Sequence, residues 1–221
     1  MFGHDSDGGY PAVVVDDKGS TLAALNAEIA ECPDCELSLT RTLTVPGEGR
    51  PDADIMFIGE APGYNEDQQG RPFVGQAGQF LDQLLSSIGL RRADVFIANV
   101  IKCRPPQNQD PLPHQLKACE KWLQRQLEII GPKVIVTLGR YSMAKYFSGQ
   151  TISRIHGQPR RVGGLLIVPM YHPAAALHQG GLRRTIEEDF KKLPPLLESE
   201  LAEKQKPEPE PAPKIQQMKL F

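Results

Sequence analysis

"ADIMFIGEAPGYNEDQQGRPFVG", residues 53–75, runs from an apolar stretch directly into a long polar loop. Residues 55–58 are apolar without alternation and stop at Gly59, the pattern of a strand covered on both faces. The loop that follows, 59–75, holds four glycines, two prolines, three acidic residues and a single Phe. Similar apolar runs stand at 95–100, 134–138 and 165–170. Between them lie helical stripes. Ala77, Phe80, Leu81, Leu84, Leu85 and Ile88 form one; Leu116, Cys119, Leu123, Leu127 and Ile130 form another. A first helix is expected over "STLAALNAEIAEC", with Ser20 or Thr21 as its N-cap. "RYSMAKYFSG" adds a short helix and "LRRTIEEDFKKL" a closing one. Apolar strands alternating with helices predict an α/β fold, a three-layer α/β/α sandwich around a four-stranded parallel sheet.

Ligands of such sheets bind beyond the carboxyl ends of the strands. Those ends read Gly59-Glu60-Ala61-Pro62-Gly63, Asn99, Gly139 and Tyr171-His172-Pro173, so acid, amide and imidazole are expected to converge on one crevice.

Length and composition set the frame. The 221 residues, 40% hydrophobic with a net charge of −2, suit one globular domain with tails. The chain has no run of eighteen apolar residues, and its first ten are polar and acidic, which predicts a cytoplasmic protein. Residues 1–100 carry 6 Lys+Arg against 16 Asp+Glu, whereas 101–221 carry 19 against 11. The basic second part suits a phosphate-bearing partner. Residues 1–20 read as a mobile leader, 21–198 as the folded domain, and 199–221 as a Pro/Glu-rich linker with a short apolar tail.

The four cysteines are Cys32 and Cys35, in a C-x2-C pair, with Cys103 and Cys119 far downstream. In a cytosolic chain this set favours a metal centre over disulfides. Zinc sites use two tight knuckles and only one is present, while iron–sulfur centres accept more scattered thiolates. An electron carrier or redox sensor, and a zinc-bearing DNA-binding module, are the competing classes. The first leaves the strand-end Glu, Asn and His without purpose, and the long acidic loop is a poor fit to the second.

Taken together, "GEAPGYNEDQQGRPFVGQAG", "NVIKCRPPQN", "YHPAAAL" and the cysteine frame resemble the family 4 uracil-DNA glycosylases, from about residue 32 to 193. The resemblance implies a 4Fe–4S cluster on Cys32, Cys35, Cys103 and Cys119, and excision of uracil from DNA, the start of base excision repair. A buried base must be everted to be cut. Phe73 is the ring expected to stack on it, Asn99 the carboxamide that reads its pairing edge, and His172 the donor that stabilises the departing anion. Backbone N–H groups of Gly59, Glu60 and Ala61 are expected to meet the base. Better-known members of the superfamily carry Asp where this chain has Ala61, so the group that activates water is sought among Glu66, Asn108 and Glu60. Asp67 is expected as a solvated loop charge, and Tyr64 or Glu66 as the guard against thymine.

For DNA, "HPAAALHQGG" reads as a wedge loop with Leu177 or His178 filling the vacated stack. Arg154, Arg160, Arg161, Arg183 and Arg184 are expected on phosphate, the last two near a helix start. A related branch traps DNA covalently through a His in a basic "RIH" segment. Arg154-Ile155-His156 echoes it at a different place, which makes His156 a DNA-contacting or structural residue. The end, with Gln217, Leu220 and Phe221, resembles the peptide by which bacterial repair proteins dock on the sliding clamp. A monomer is expected.

Overall fold

The computed structural model describes residues 17–204. The leader up to residue 16, most of the linker and the peptide with Gln217, Leu220 and Phe221 lie outside the described residues. Helix α1 is Lys18–Ala30, followed by a 3-10 turn at Glu36–Leu39 and the short strand β1, Glu48–Gly49. Then come β2 (Ile55–Gly59), α2 (Tyr64–Gln69), α3 (Gln76–Ser87), β3 (Phe96–Asn99) and α4 (Pro113–Ile130). The chain continues through β4 (Val134–Leu138), α5 (Arg140–Ala144), α6 (Ile152–Ile155), β5 (Arg160–Val162) and β6 (Leu165–Met170). It closes with α7 (Pro173–His178), α8 (Leu182–Phe190) and α9 (Leu193–Lys204). Among the described residues no helix is long and apolar enough to cross a membrane.

The sheet corrects the expected four strands to six, in the order β1-β3-β2-β4-β6-β5. The strands foreseen, β2, β3, β4 and β6, pair in parallel, with Met56 opposite both Phe96 and Ile135. The added edge strands β1 and β5 run antiparallel, so the sheet is mixed. Alternation along each strand divides the core in two. Met56, Ile58, Phe96, Ala98, Ile135 and Ile167 face α1 and α4. Ile55, Phe57, Ile97, Val136, Leu138 and Val168 face α3 and α8. Phe57 stacks on Phe190 of α8 with ring centroids 5.8 Å apart.

Three boundaries also differ. The cap of α1 is Asp17, not Ser20 or Thr21; its Oδ1 accepts the Gly19 N–H at 3.0 Å. Helix α9 continues past residue 199, where the linker was expected. Glu200 is buried there and accepts both terminal nitrogens of Arg161 at 2.6 and 3.1 Å. The helix expected over 182–193 ends at Phe190 as α8, and a further helix, α9, follows it. Because β3 and β4 flank β2 on opposite sides, the order in which strands are added reverses beside β2. That is where a crevice opens above a doubly wound sheet.

Candidate active site

An open cleft of about 1140 Å³ lies beyond the carboxyl ends of the parallel strands. Its lining includes Glu60, Ala61, Glu66, Phe73, Asn99, Asn108, His172 and His178.

Gly59 ends β2, and its missing side chain is the condition for the floor of the cleft. A Cβ there would lie 2.4 Å from Asn99 Oδ1 and 2.6 Å from Phe73 Cζ. Asn99 ends β3 and is 2% exposed, and its Oδ1 has no hydrogen-bond partner among the described residues. A buried acceptor left unpaired costs about 1–3 kcal/mol, so its presence at a cleft points to a ligand donor.

Phe73 is buried with φ at 54°, a left-handed backbone that a bulky residue adopts only when held. Two sets of contacts hold it. Arg92 donates to the Phe73 carbonyl at 3.0 Å and to that of Pro72, while pairing with Glu48 and Asp82. From the other side, Glu66 accepts backbone N–H groups of Gly63, Val74 and Gly75 at 3.1, 2.8 and 2.9 Å. The Glu66 carboxylate therefore staples the ends of the loop together. Asp67, expected in solvent, is buried and accepts the Thr42 N–H at 2.9 Å.

His172 caps α7, its Nδ1 accepting the Ala174 N–H at 3.1 Å. An Nδ1 that accepts must be unprotonated, which puts the ring proton on Nε2. The residue keeps some surface at the mouth, but its ring is enclosed, and burial lowers its pKa to about 4. The imidazole stacks beside Phe73, with centroids 5.4 Å apart and planes 23° from parallel. Glu60 is half-buried, and burial, reinforced by Asp110, raises the pKa of its carboxyl. Among the described residues no hydrogen bond is donated to that carboxylate, although the Ile101 N–H donates to the Glu60 carbonyl at 3.2 Å. Asn108 differs: it accepts from Arg104 Nε at 2.7 Å.

The four cysteines line a second, small cavity with Arg41, Lys102 and Trp122. Trp122 Nε1–H donates to Cys32 Sγ at 3.3 Å, Arg41 to Cys103 Sγ at 3.3 Å, and the Lys102 N–H to Cys119 Sγ at 3.2 Å. Burial raises the pKa of the Cys35 and Cys103 thiols and lifts that of Cys119 to about 11. Among the described residues, no group of three or more His, Cys, Asp or Glu is arranged to hold a metal ion as the side chains stand.

Compared with known families, residues 46–193 match the model of the uracil DNA glycosylase superfamily. The chain belongs to this superfamily. It is 48% identical over 183 residues to the type-4 uracil-DNA glycosylase of Sulfurisphaera tokodaii, covering 78% of this chain and 83% of that one. It is 42% identical over 184 residues to the type-4 uracil-DNA glycosylase of Thermotoga maritima, covering 81% and 96%. Its similarity to the Archaeoglobus fulgidus type-4 enzyme is 48% over 175 residues, covering 75% and 88%. These findings make the chain a family 4 DNA glycosylase, a hydrolase of N-glycosyl bonds.

In this glycosylase the base-facing residues expected from sequence meet in the cleft, with Gly59 beneath them. The expected phosphate contacts do not line it. Arg183 pairs with Glu187 and lies over the Phe80 ring, and Arg184 pairs with Glu188. Arg160 sits over Phe147, Arg161 binds Glu200, and Arg154 is exposed on α6. His156 packs on Tyr171 and bonds the buried Asp189 at 2.6 Å, a structural setting. His178 lines the cleft, and Leu177, its neighbour on α7, is 47% exposed. Sequence reasoning missed Arg140, which lines the cleft and pairs with Asp110. The signal was available, since Arg140 directly follows Gly139 at the end of β4.

Proposed function

We propose that this glycosylase draws a uridine out of DNA into the cleft and cleaves it with His172 and Glu60 as principal groups. The carrying observation is the offset, near-parallel stack of Phe73 and His172. A base lying in the imidazole plane, where Nε2–H points, is within 23° of parallel to the Phe73 ring. One pose thus gains both a stacking face and an in-plane donor at O2. In the same pose the unpaired Asn99 Oδ1 accepts N3–H of uracil. Cytosine carries a lone pair at N3 and would leave that acceptor unpaired.

As the C1′–N1 bond breaks, its electron pair passes to the uracil ring, and Nε2–H stabilises the charge on O2. A water oxygen bonds to C1′ and loses its proton to the Glu60 carboxylate. Glu60 takes this part because Glu66 is occupied by three backbone N–H groups and a carboxamide is no base. Positive charge building on the sugar is met by the same carboxylate. Leu177 serves as the wedge beside the everted nucleotide.

The thiols of Cys32, Cys35, Cys103 and Cys119 suit an iron–sulfur cluster. All four line one cavity, and three receive the N–H donors that thiolate ligands of such clusters use. Bound there, the cluster would tie the segment after α1, the segment before α4 and α4 itself together.

The test is incubation with an oligonucleotide bearing one uracil, followed by alkali. Strand breakage at uracil, with thymine and cytosine controls intact, is expected. Wild-type protein that leaves the uracil strand unbroken rejects the reading.

A further inference from the structure

The loop after β3 contains an arrangement that the proposed chemistry leaves unused. Gln107 and Asn108 have φ at 54° and 55°, two consecutive left-handed residues neither of which is glycine. Asn tolerates such a backbone better than other non-glycine residues, while a longer side chain such as that of Gln107 keeps it where its surroundings hold it. Backbone bonds close this turn, from Asn108 N–H to the Pro105 carbonyl and from Gln109 N–H to that of Pro106, both at 3.1 Å, and Arg104 fixes the Asn108 side chain upon it. Its Nε donates to Asn108 Oδ1 at 2.7 Å, and its guanidinium lies over the ring of Tyr64, 5.1 Å from the centroid. Tyr64 and Asn108 both line the cleft, and Tyr64 is 57% exposed at its rim. A guanidinium has no acceptor, so the Asn108 atom it meets is the carbonyl oxygen. The amide nitrogen must then point away from Arg104.

We infer that Arg104 is a positioning residue that turns the Asn108 carboxamide so that its N–H2 group is offered to the cleft. Asn108 then acts only as a donor. It holds the attacking water by its oxygen and leaves the water protons to the carboxylate. This rests on the glycosylase reading of the cleft. The stack on Tyr64 fixes the guanidinium in turn, and spans the gap between the loop after β3 and the start of α2.

Single-turnover cleavage of a uracil-containing oligonucleotide tests the inference through a double-mutant cycle. Arg104→Met and Asn108→Ala should each slow the step by about 10- to 100-fold, the scale of lost positioning. The double variant should be no slower than Asn108→Ala alone. Asn108→Asp keeps the oxygen for Arg104 but loses the donor, and should be as slow as Asn108→Ala. Arg104→Lys retains the charge without the fork and should keep DNA affinity while staying slow. Additive losses, a wild-type rate in Asn108→Asp, or a wild-type rate in Arg104→Lys would overturn it. A crystal structure of Arg104→Met supplies an arm that needs no catalysis. The Asn108 carboxamide should turn from its present orientation, and an unchanged Asn108 side chain refutes the inference. Failure of the wild-type enzyme to cut the oligonucleotide would instead count against the glycosylase reading.

Discussion

In the proposed reaction His172 is a neutral donor, because its enclosure penalises the charged ring more than any neighbour rewards it. With its pKa near 4, the imidazole stays neutral as pH rises through 6.5, the range of an ordinary His. Excision rate should therefore show no His-type decline between pH 5.5 and 8 when measured at single turnover. Replacing His172 by Ala should cost about 10²–10³ in that rate, as for other lost oxyanion donors. Folding is linked to the same shift. Between roughly pH 6.5 and 4 the unfolded chain binds this proton and the folded one does not, so this contribution to stability falls as pH falls through that window. Glu60 has the opposite sign. Its carboxyl pKa is raised, so the folded state holds the proton more tightly and the ionised form carries a cost at neutral pH. Glu60→Gln should raise the melting temperature at pH 7 while lowering the excision rate about 10²-fold or more. A variant that keeps its rate would remove Glu60 from the chemistry. Phe73, Asn99 and His172 were legible because each stands where a strand or a Gly/Pro-bounded loop must stop. The work of Glu66 and Arg104 was not, since both bond to groups placed by folding. Glu66 reaches Val74 and Gly75 backbone, and Arg104 reaches Asn108 across a turn that only the folded loop forms.

At the scale of elements, the loop from β2 to α3 is a ring holder built from both ends. Gly78 in the first turns of α3 lets that helix press on the loop, since a Cβ there would lie 1.7 Å from the Phe73 carbonyl oxygen. Arg92 closes the other side through the Pro72 and Phe73 carbonyls. Arg92→Met should release the Phe73 backbone, weakening binding of uracil-containing DNA by roughly tenfold with little effect on kcat. A filter-binding titration beside single-turnover rates checks this; unchanged affinity would mean that the rest of the loop holds the ring unaided. The four central strands could be read because uninterrupted apolar runs are their only requirement. Strands β1 and β5 could not. They are two and three residues long, contain Glu, Gly and Arg, and exist through pairing with a neighbour rather than through pattern. The division of the closing segment into α8 and α9 was hidden for a similar reason, because Pro194 and Pro195 sit inside the first turn of α9, where proline is tolerated.

For the whole molecule, two sites share one sheet: a cleft at the strand ends, and a thiol-lined cavity under α1 and α4. The cysteine frame was readable from counts and spacing. The N–H donors from Trp122, Arg41 and Lys102 depended on the packing of distant segments. Removing iron with a chelator under anaerobic conditions should lower the melting temperature, and Cys119→Ser should do the same while bleaching the visible absorbance. A loss of about 2 kcal/mol corresponds to a shift of roughly 4–8 °C for a domain of this size. An unchanged melting temperature would deny the cluster its structural part. In the basic second part of the chain, Arg161, Arg183 and Arg184 are paired with the carboxylates of Glu200, Glu187 and Glu188, partners that sequence counts alone do not reveal. The account as a whole stands on one pose of one base, so a crystal structure with uracil bound tests it most directly. It predicts uracil stacked on Phe73, with O2 at hydrogen-bond distance from His172 Nε2 and N3 at the same range from Asn99 Oδ1. Uracil seated elsewhere, or turned so that His172 faces no oxygen, would contradict it.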